Sequence, residues 1–107
     1  MIRVLYIMHK RPDLDDAAFR EYWKNVHGPI AARMPGLRKY VQSHCYPDPH
    51  GDPLPADGVE DLQFDSIDSM QSALATPAGQ EMLADVSNFL DTSRSGPVVV
   101  GEDYEIV

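Results

Sequence analysis

An amphipathic helical segment that follows Phe19 constrains the fold more than any other part of this sequence. Four large apolar side chains recur there at helical spacing and form one stripe: Phe19, Trp23, Val26 and Ile30. At roughly 100° per residue, His27 falls about 40° from Trp23. We therefore expect the His27 imidazole on the shoulder of the stripe, where it can face a pocket while packing holds the ring.

A proline interrupts the second half of this helix. Pro29 has no backbone N–H, and its ring clashes with the carbonyl of Asn25, so we predict a kink or a restart at Gly28–Pro29. The break either steers the chain around the core or shapes a pocket beside His27. A turn at Pro35–Gly36 then leads into the next strand.

The remaining pattern predicts a β-α-β-β-α-β order. Apolar alternation and turn residues place strands near residues 2–9, 37–46, 59–65 and 98–107. Asp15, Ser66 and Thr76 are the expected N-caps of the helices, the last followed by Pro77. This order is typical of a ferredoxin-like α+β domain, so we predict one domain over residues 1–107 with a four-stranded antiparallel sheet.

Two elements carry side chains of functional interest. The second strand lines up hydrogen-bonding groups on one face, which is either exposed or turned towards the helices as a polar cavity wall: Arg38, Tyr40, Gln42, His44 and Tyr46. The last helix has one apolar side, and we expect Asp85 at its margin. The proline-rich loop 47–58 between the second and third strands is either a lid or a disordered tip.

Charge and composition exclude several classes of partner. The net charge is −8 and the only basic clusters are Lys10–Arg11 and Arg38–Lys39, so we expect no nucleic-acid or membrane partner. No apolar run is long enough to span a bilayer, and the N-terminus lacks a signal-peptide pattern. The single cysteine, Cys45, fits a reducing compartment, and we predict a cytoplasmic protein.

The first strand indicates a second subunit. It carries Val4, Tyr6 and Met8 on one face and Leu5 and Ile7 on the other. Helices of so short a chain cover only one face of the sheet, because there are too few of them. We therefore expect another copy of the chain on the second face, which makes a homodimer.

The candidate chemistry is proton transfer rather than metal or nucleotide chemistry. Neither the four histidines nor Cys45 have metal-ligand spacing, and no glycine-rich phosphate loop is present, so we predict no metal and no cofactor. His27 can accept and return a proton near pH 7, and the Tyr40 hydroxyl can bond to a developing oxyanion across an open space. The alternative is that both are ordinary core side chains.

The motifs in order resemble the EthD-domain family of the dimeric α+β barrel superfamily. They include Phe19…Trp23…His27-Gly28-Pro29, Pro35-Gly36-Leu37-Arg38-Lys39-Tyr40, Leu62-Gln63-Phe64-Asp65-Ser66, Pro77-Ala78-Gly79 and Phe89-Leu90-Asp91. The resemblance implies two subunits with packed sheets and a small-molecule cleft in each. The interval from His27 to Tyr40 is also similar to that of 4-methylmuconolactone methylisomerase, a cofactor-free member in which a helix histidine and a strand tyrosine are implicated in proton transfer.

The resemblance leaves three functions open. The first is a cofactor-independent isomerase, cyclase or lyase acting on a small carbonyl compound, with His27 and Tyr40 as catalytic residues. Four side chains would position the substrate or the imidazole: Trp23, Gln42, His44 and Asp85. The second is a non-catalytic accessory or small-molecule-binding protein that serves a partner oxygenase, and the third is a cofactor-free monooxygenase.

Overall fold

The sheet has the strand order β2-β3-β1-β4, and all neighbouring strands are antiparallel. A computed structural model describes residues 1–107. The strands are β1 (Ile2–Met8), β2 (Lys39–His44), β3 (Gly58–Phe64) and β4 (Gly96–Val100). The predicted ferredoxin-like α+β class and four-stranded antiparallel sheet are confirmed.

The helices connect the strands in the predicted order. Between β1 and β2 run α1 (Asp16–Tyr22), a π-helical turn (Trp23–His27) and α2 (Gly28–Ala31). Between β3 and β4 run α3 (Ile67–Ala75), α4 (Pro77–Asp85) and a 3₁₀ turn (Val86–Asn88). No helix is long and apolar enough to cross a membrane.

Side-chain caps begin the helices where the sequence predicts them. The Asp15 carboxylate accepts a hydrogen bond from the backbone N–H of Ala18 at 2.7 Å. Ser66 caps α3, and Thr76 caps α4 with Pro77 at its first position. Each cap satisfies a backbone donor that the first helical turn leaves free.

The last strand is shorter than predicted. The expectation that it reaches Val107 is wrong, because β4 ends at Val100. Val100 pairs with Arg3, and β1 begins at Ile2, so β1 offers almost no backbone beyond this point. An antiparallel strand ends where its partner ends, since its N–H and C=O groups lose their pairing.

The two faces of the sheet differ in cover. One face packs on the helices through alternate residues, and in β3 these are Gly58, Glu60, Leu62 and Phe64. The opposite face carries apolar side chains that nothing in the chain covers, with Val98 52% and Val41 38% exposed. A monomer therefore leaves apolar sheet surface in water.

Candidate functional site

A π-helical turn places His27 in the core. The backbone N–H of Gly28 bonds to the carbonyl of Trp23, five residues back, so the turn holds one residue more than an α-helix turn. The extra residue shifts the buried stripe by one position: His27 and Ala31 are fully buried, while Val26 is 42% exposed. The expectation of Val26 in the stripe with His27 on its shoulder is therefore wrong, whereas Ile30 packs against the core as expected.

A buried carboxylate anchors one nitrogen of the imidazole. Asp85 Oδ2 lies 2.8 Å from His27 Nδ1. Its Oδ1 accepts hydrogen bonds from the Tyr22 hydroxyl at 2.5 Å and the Asn88 amide at 2.9 Å. Asp85 is only 7% exposed, so it lies inside the core rather than at the margin of the apolar side of its helix.

These contacts keep Asp85 ionised and determine which nitrogen of His27 carries the proton. Burial raises the pKa of Asp85, but the hydrogen bonds from Tyr22, Asn88 and His27 outweigh it and hold that pKa below its ordinary value. An ionised carboxylate only accepts hydrogen bonds, so Nδ1 of His27 carries the proton. In the neutral imidazole, Nε2 is then an acceptor.

The second imidazole nitrogen has no partner. His27 Nε2 is the single buried side-chain polar atom of the chain without a hydrogen bond. The nearest acidic oxygen is Glu60 Oε1, at 3.6 Å. The Phe89 ring packs against the imidazole with 4.6 Å between ring centroids. A buried polar atom left unpaired is costly, so it needs an explanation, of which a catalytic role is one and a bound water is another.

Glu60 is the site residue that the sequence reasoning missed. Its side chain is buried, and Oε1 accepts hydrogen bonds from the Trp23 indole at 2.6 Å and the Tyr40 hydroxyl at 2.5 Å. Burial raises its pKa, against the opposing effects of Tyr40, His27 and Trp23. The signal was present in β3, since alternation puts Glu60 on the same face as Leu62 and Phe64.

The Glu60 carboxyl also changes the expected geometry between His27 and Tyr40. The predicted open space between imidazole and phenol is wrong, because Glu60 Oε1 contacts the Tyr40 hydroxyl and lies 3.6 Å from His27 Nε2. Burial and the Glu60 charge raise the pKa of Tyr40, so its hydroxyl stays protonated and donates.

The β2 side chains turn towards the helices and bond to one another. Gln42 donates from Nε2 to the Tyr40 hydroxyl at 2.9 Å and to the Trp23 carbonyl at 2.8 Å. His44 Nε2 lies 3.1 Å from the Gln42 amide oxygen, and its ring stacks on Trp23 at 4.1 Å. All six predicted site residues therefore lie in one network around Glu60 or Asp85. No group of three or more His, Cys, Asp or Glu side chains is placed to hold a metal ion.

A cavity of about 160 Å³ lies between the sheet and the α3–α4 pair. Its wall is apolar apart from two side chains, Tyr6 and Glu60, and four methionines contribute to it: Met8, Met34, Met70 and Met82. Neither His27 nor Tyr40 is part of the wall. The predicted site network therefore reaches this cavity through Glu60.

Comparisons with known proteins agree with this fold. The EthD domain model matches residues 11–93. An uncharacterized 11.0 kDa protein from the thcB–thcC intergenic region of Rhodococcus erythropolis is 32% identical over 101 residues, covering 94% of this chain and 93% of that protein.

Solved structures extend the comparison. An EthD family protein from Bacillus halodurans is 24% identical with a TM-score of 0.79, over 96% of this chain and 100% of that one. A dimeric ferredoxin-like protein from Bacteroides fragilis is 13% identical with a TM-score of 0.67, over 92% of this chain and 93% of that one. At these identities the structures support the fold alone.

Proposed function

This chain belongs to the EthD domain family, and from that premise we propose that it is a cofactor-independent isomerase, cyclase or lyase of the cytoplasm. Its substrate is a small carbonyl compound, such as a lactone or a polyketide-like intermediate. The reaction moves a proton to and from a carbon next to the carbonyl group, which an imidazole and a carboxylate can support without a cofactor.

The observation that carries this proposal is the state of His27. Asp85 holds Nδ1, while Nε2 is buried and free. A carboxylate that fixes one nitrogen and leaves the other as an acceptor is the arrangement found where histidine moves protons. The similarity of the His27–Tyr40 interval to 4-methylmuconolactone methylisomerase supports the same reading.

The neighbouring side chains support His27 in this proposal. Tyr40 donates to Glu60 and so stabilises the negative charge that shares the site with the imidazole. Trp23 donates to the same carboxyl group. Gln42 and His44 hold Tyr40 and Trp23 in place through a hydrogen bond and a ring stack.

The test uses two small compounds with a C–H bond between a carbonyl and a double bond: 3-cyclohexen-1-one and α-angelica lactone. Wild-type protein should convert each to its conjugated isomer faster than buffer does, and in D₂O deuterium should enter the γ carbon. His27→Asn should reduce turnover by about 10²-fold or more, because it removes Nε2. The asparagine amide can still donate to Asp85, so the melting temperature should stay within a few degrees, or roughly 1 kcal/mol.

The matched control is His50→Asn, the same substitution at an exposed loop position. It should retain wild-type turnover. If His27→Asn turns over both compounds at the wild-type rate while folded, the proposed role of His27 is lost. If the wild-type protein binds them without turnover, the function is that of a binding module.

A binding or accessory module is the second candidate. One observation favours it: the cavity wall contains neither His27 nor Tyr40. Such a protein would hold an apolar metabolite for a partner oxygenase. If a probe binds and is chemically unchanged after prolonged incubation, the protein is a binding module and not an enzyme for that compound.

We also propose that the chain is a homodimer that packs its open sheet faces together. Apolar side chains lie on that face, including the exposed Val41 and Val98. A structural neighbour of the same fold is a dimer. Burial of such a face from water is the main driving force for permanent association.

A further inference from the structure

Building on the proposed function, we infer that Glu60 and Tyr6 are the catalytic residues that contact the substrate. The substrate is an apolar carbonyl compound about the size of one six-membered ring. His27 and Tyr40 lie behind Glu60 and act through it as positioning residues.

The register of the sheet puts the two side chains next to each other. Tyr6 of β1 pairs directly with Glu60 of β3. Directly opposite residues of an antiparallel pair have Cβ atoms about 4.5–5.5 Å apart on the same face. Both residues line the same cavity, whose wall is otherwise apolar.

The two oxygens of Glu60 have different surroundings. Oε1 accepts both protein hydrogen bonds, from Trp23 and Tyr40. Oε2 accepts no hydrogen bond within the chain. It is not fully buried, because His27 Nε2 is the single fully buried side-chain polar atom without a partner. Since Glu60 lines the cavity, Oε2 is the oxygen available to a molecule inside it.

The Tyr6 hydroxyl, like Glu60 Oε2, makes no hydrogen bond within the chain and is not fully buried. Burial, together with the Glu60 charge, raises the pKa of Tyr6, so the hydroxyl is a donor at neutral pH. A donor beside a base is the pairing that enolate formation requires.

Titratable groups face Glu60 from three elements. They are Tyr6 on β1, Tyr40 on β2 and His27 on the π turn, whereas α3, α4 and β4 contribute apolar side chains. Burial raises the Glu60 pKa, and the hydrogen bond from Tyr40 and the charge of His27 limit that rise. A carboxyl group tuned in this way is a better base at neutral pH than an exposed one.

The size and lining of the cavity set the substrate class. Its volume is about 160 Å³, and an apolar protein cavity of roughly 150 Å³ binds benzene. Almost all of the wall surface is apolar, so the ligand is mostly apolar and carries at most one polar group for Glu60 and Tyr6 to contact. Sugars, nucleotides and charged metabolites do not fit this lining, because their polar groups would be left unpaired.

The reaction balances with these two side chains alone. Glu60 Oε2 takes the proton from the carbon between the carbonyl and the double bond, and the electron pair of that C–H bond forms a dienolate. The Tyr6 hydroxyl donates to the dienolate oxygen. The protonated Glu60 then returns its proton to the γ carbon, which leaves the conjugated isomer and the original carboxylate.

Binding is measured first, with methyl-labelled methionine NMR. Four of the five methionines line the cavity, and Met1 does not. Addition of 2-cyclohexen-1-one should shift the four cavity signals and leave the Met1 signal in place. No shift of the cavity signals would overturn the assignment of this cavity as the substrate site.

Turnover of 3-cyclohexen-1-one is measured next in two variants. Glu60→Gln keeps an acceptor for Trp23 and Tyr40 but removes the base, and we expect a loss of about 10²–10⁴-fold in kcat. Tyr6→Phe should lower kcat by about 10²-fold with little change in KM, because its donor acts on the dienolate. Glu105→Gln and Tyr46→Phe, at exposed positions, should match the wild type.

The positioning role of His27 has its own readout. If His27 acts through Glu60, His27→Asn should move the rise of kcat/KM to higher pH, because Glu60 loses a neighbour that lowers its pKa when the imidazole is protonated.

The outcomes separate this inference from the proposed function. Full activity in folded Glu60→Gln or Tyr6→Phe, with activity lost in His27→Asn, would refute the inference and leave the proton-transfer function in place. Absence of turnover by the wild-type protein, with the methionine signals shifted, would refute the function and retain only the ligand site.

Discussion

At the scale of single residues, the site is a network of buried polar groups centred on two carboxylates. Asp85 fixes one imidazole nitrogen, and Glu60 collects the donors from Trp23 and Tyr40. The two carboxylates have opposite pKa shifts, because Asp85 has enough hydrogen bonds to overcome burial and Glu60 does not. Environments that push two neighbouring acids apart are typical of acid–base sites.

The raised pKa of Glu60 predicts a pH dependence of stability. Between the ordinary Glu value, about 4.3, and the raised folded value, the folded state binds more protons than the unfolded state. The free energy of unfolding of the wild type should therefore fall as pH rises through this window, by at most about 1.4 kcal/mol per pH unit. Glu60→Gln should lack this loss, because glutamine does not titrate. The free energy of unfolding of the variant should therefore increase relative to that of the wild type as pH rises.

Urea denaturation at a series of pH values measures the difference. Glu105→Gln should follow the wild-type curve, since that side chain is exposed. Parallel curves for the wild type and Glu60→Gln would show that the Glu60 pKa is not raised in the folded state.

At the scale of elements, the π turn decides which side chains face the core. With α-helical periodicity, Val26 would follow Trp23 in the stripe, whereas the inserted residue brings His27 there instead. Gln42 donates to the same Trp23 carbonyl that accepts from Gly28, so β2 supports the turn. Single π turns inside α-helices frequently occur at functional sites.

Removal of the extra residue should turn the segment into a regular helix. Deletion of the exposed Val26 brings the buried positions into α-helical spacing, so we expect a folded protein with a melting temperature within several degrees of the wild type, or roughly 1–2 kcal/mol. Turnover should fall by about 10²-fold or more, because the geometry of His27 against Asp85 and Glu60 changes.

Val26→Ala is the matched control, since it shortens the same exposed side chain and keeps the turn. Its turnover and stability should be near those of the wild type, within about 0.5 kcal/mol. Circular dichroism and the activity assay together check both variants. Wild-type turnover in the deletion variant would show that the π turn has no functional role.

At the scale of the whole molecule, one face of the sheet borders the cavity and the other face is exposed to solvent. The inner face holds Tyr6 and Glu60, and the outer face presents apolar side chains beside the Arg3–Asp61 ion pair. The proposed dimer would cover this outer face. It would leave the cavity, on the other side of the sheet, to each subunit.

A charge on the outer face should therefore separate the subunits. Val98→Lys should raise the dimer dissociation constant by about 10²-fold or more, because a buried unpaired ammonium group costs several kcal/mol. Sedimentation velocity over a range of concentrations measures the constant. Ile67→Lys, an equally exposed position on the helical side, should leave it unchanged. A monomeric wild type would contradict the proposed dimer.

The sequence by itself determined the order of elements, the caps and the fold class, because these depend on local spacing and on residues such as Asp15, Thr76 and Pro77. It also gave His27, Tyr40 and their neighbours as candidates, which the fold brings into one network of polar groups. Only the tertiary structure decided that Glu60 stands between them and that Tyr6 lies opposite it, since strand register and burial are long-range properties. The π turn shifted the buried face by one residue, which no α-helical periodicity could predict.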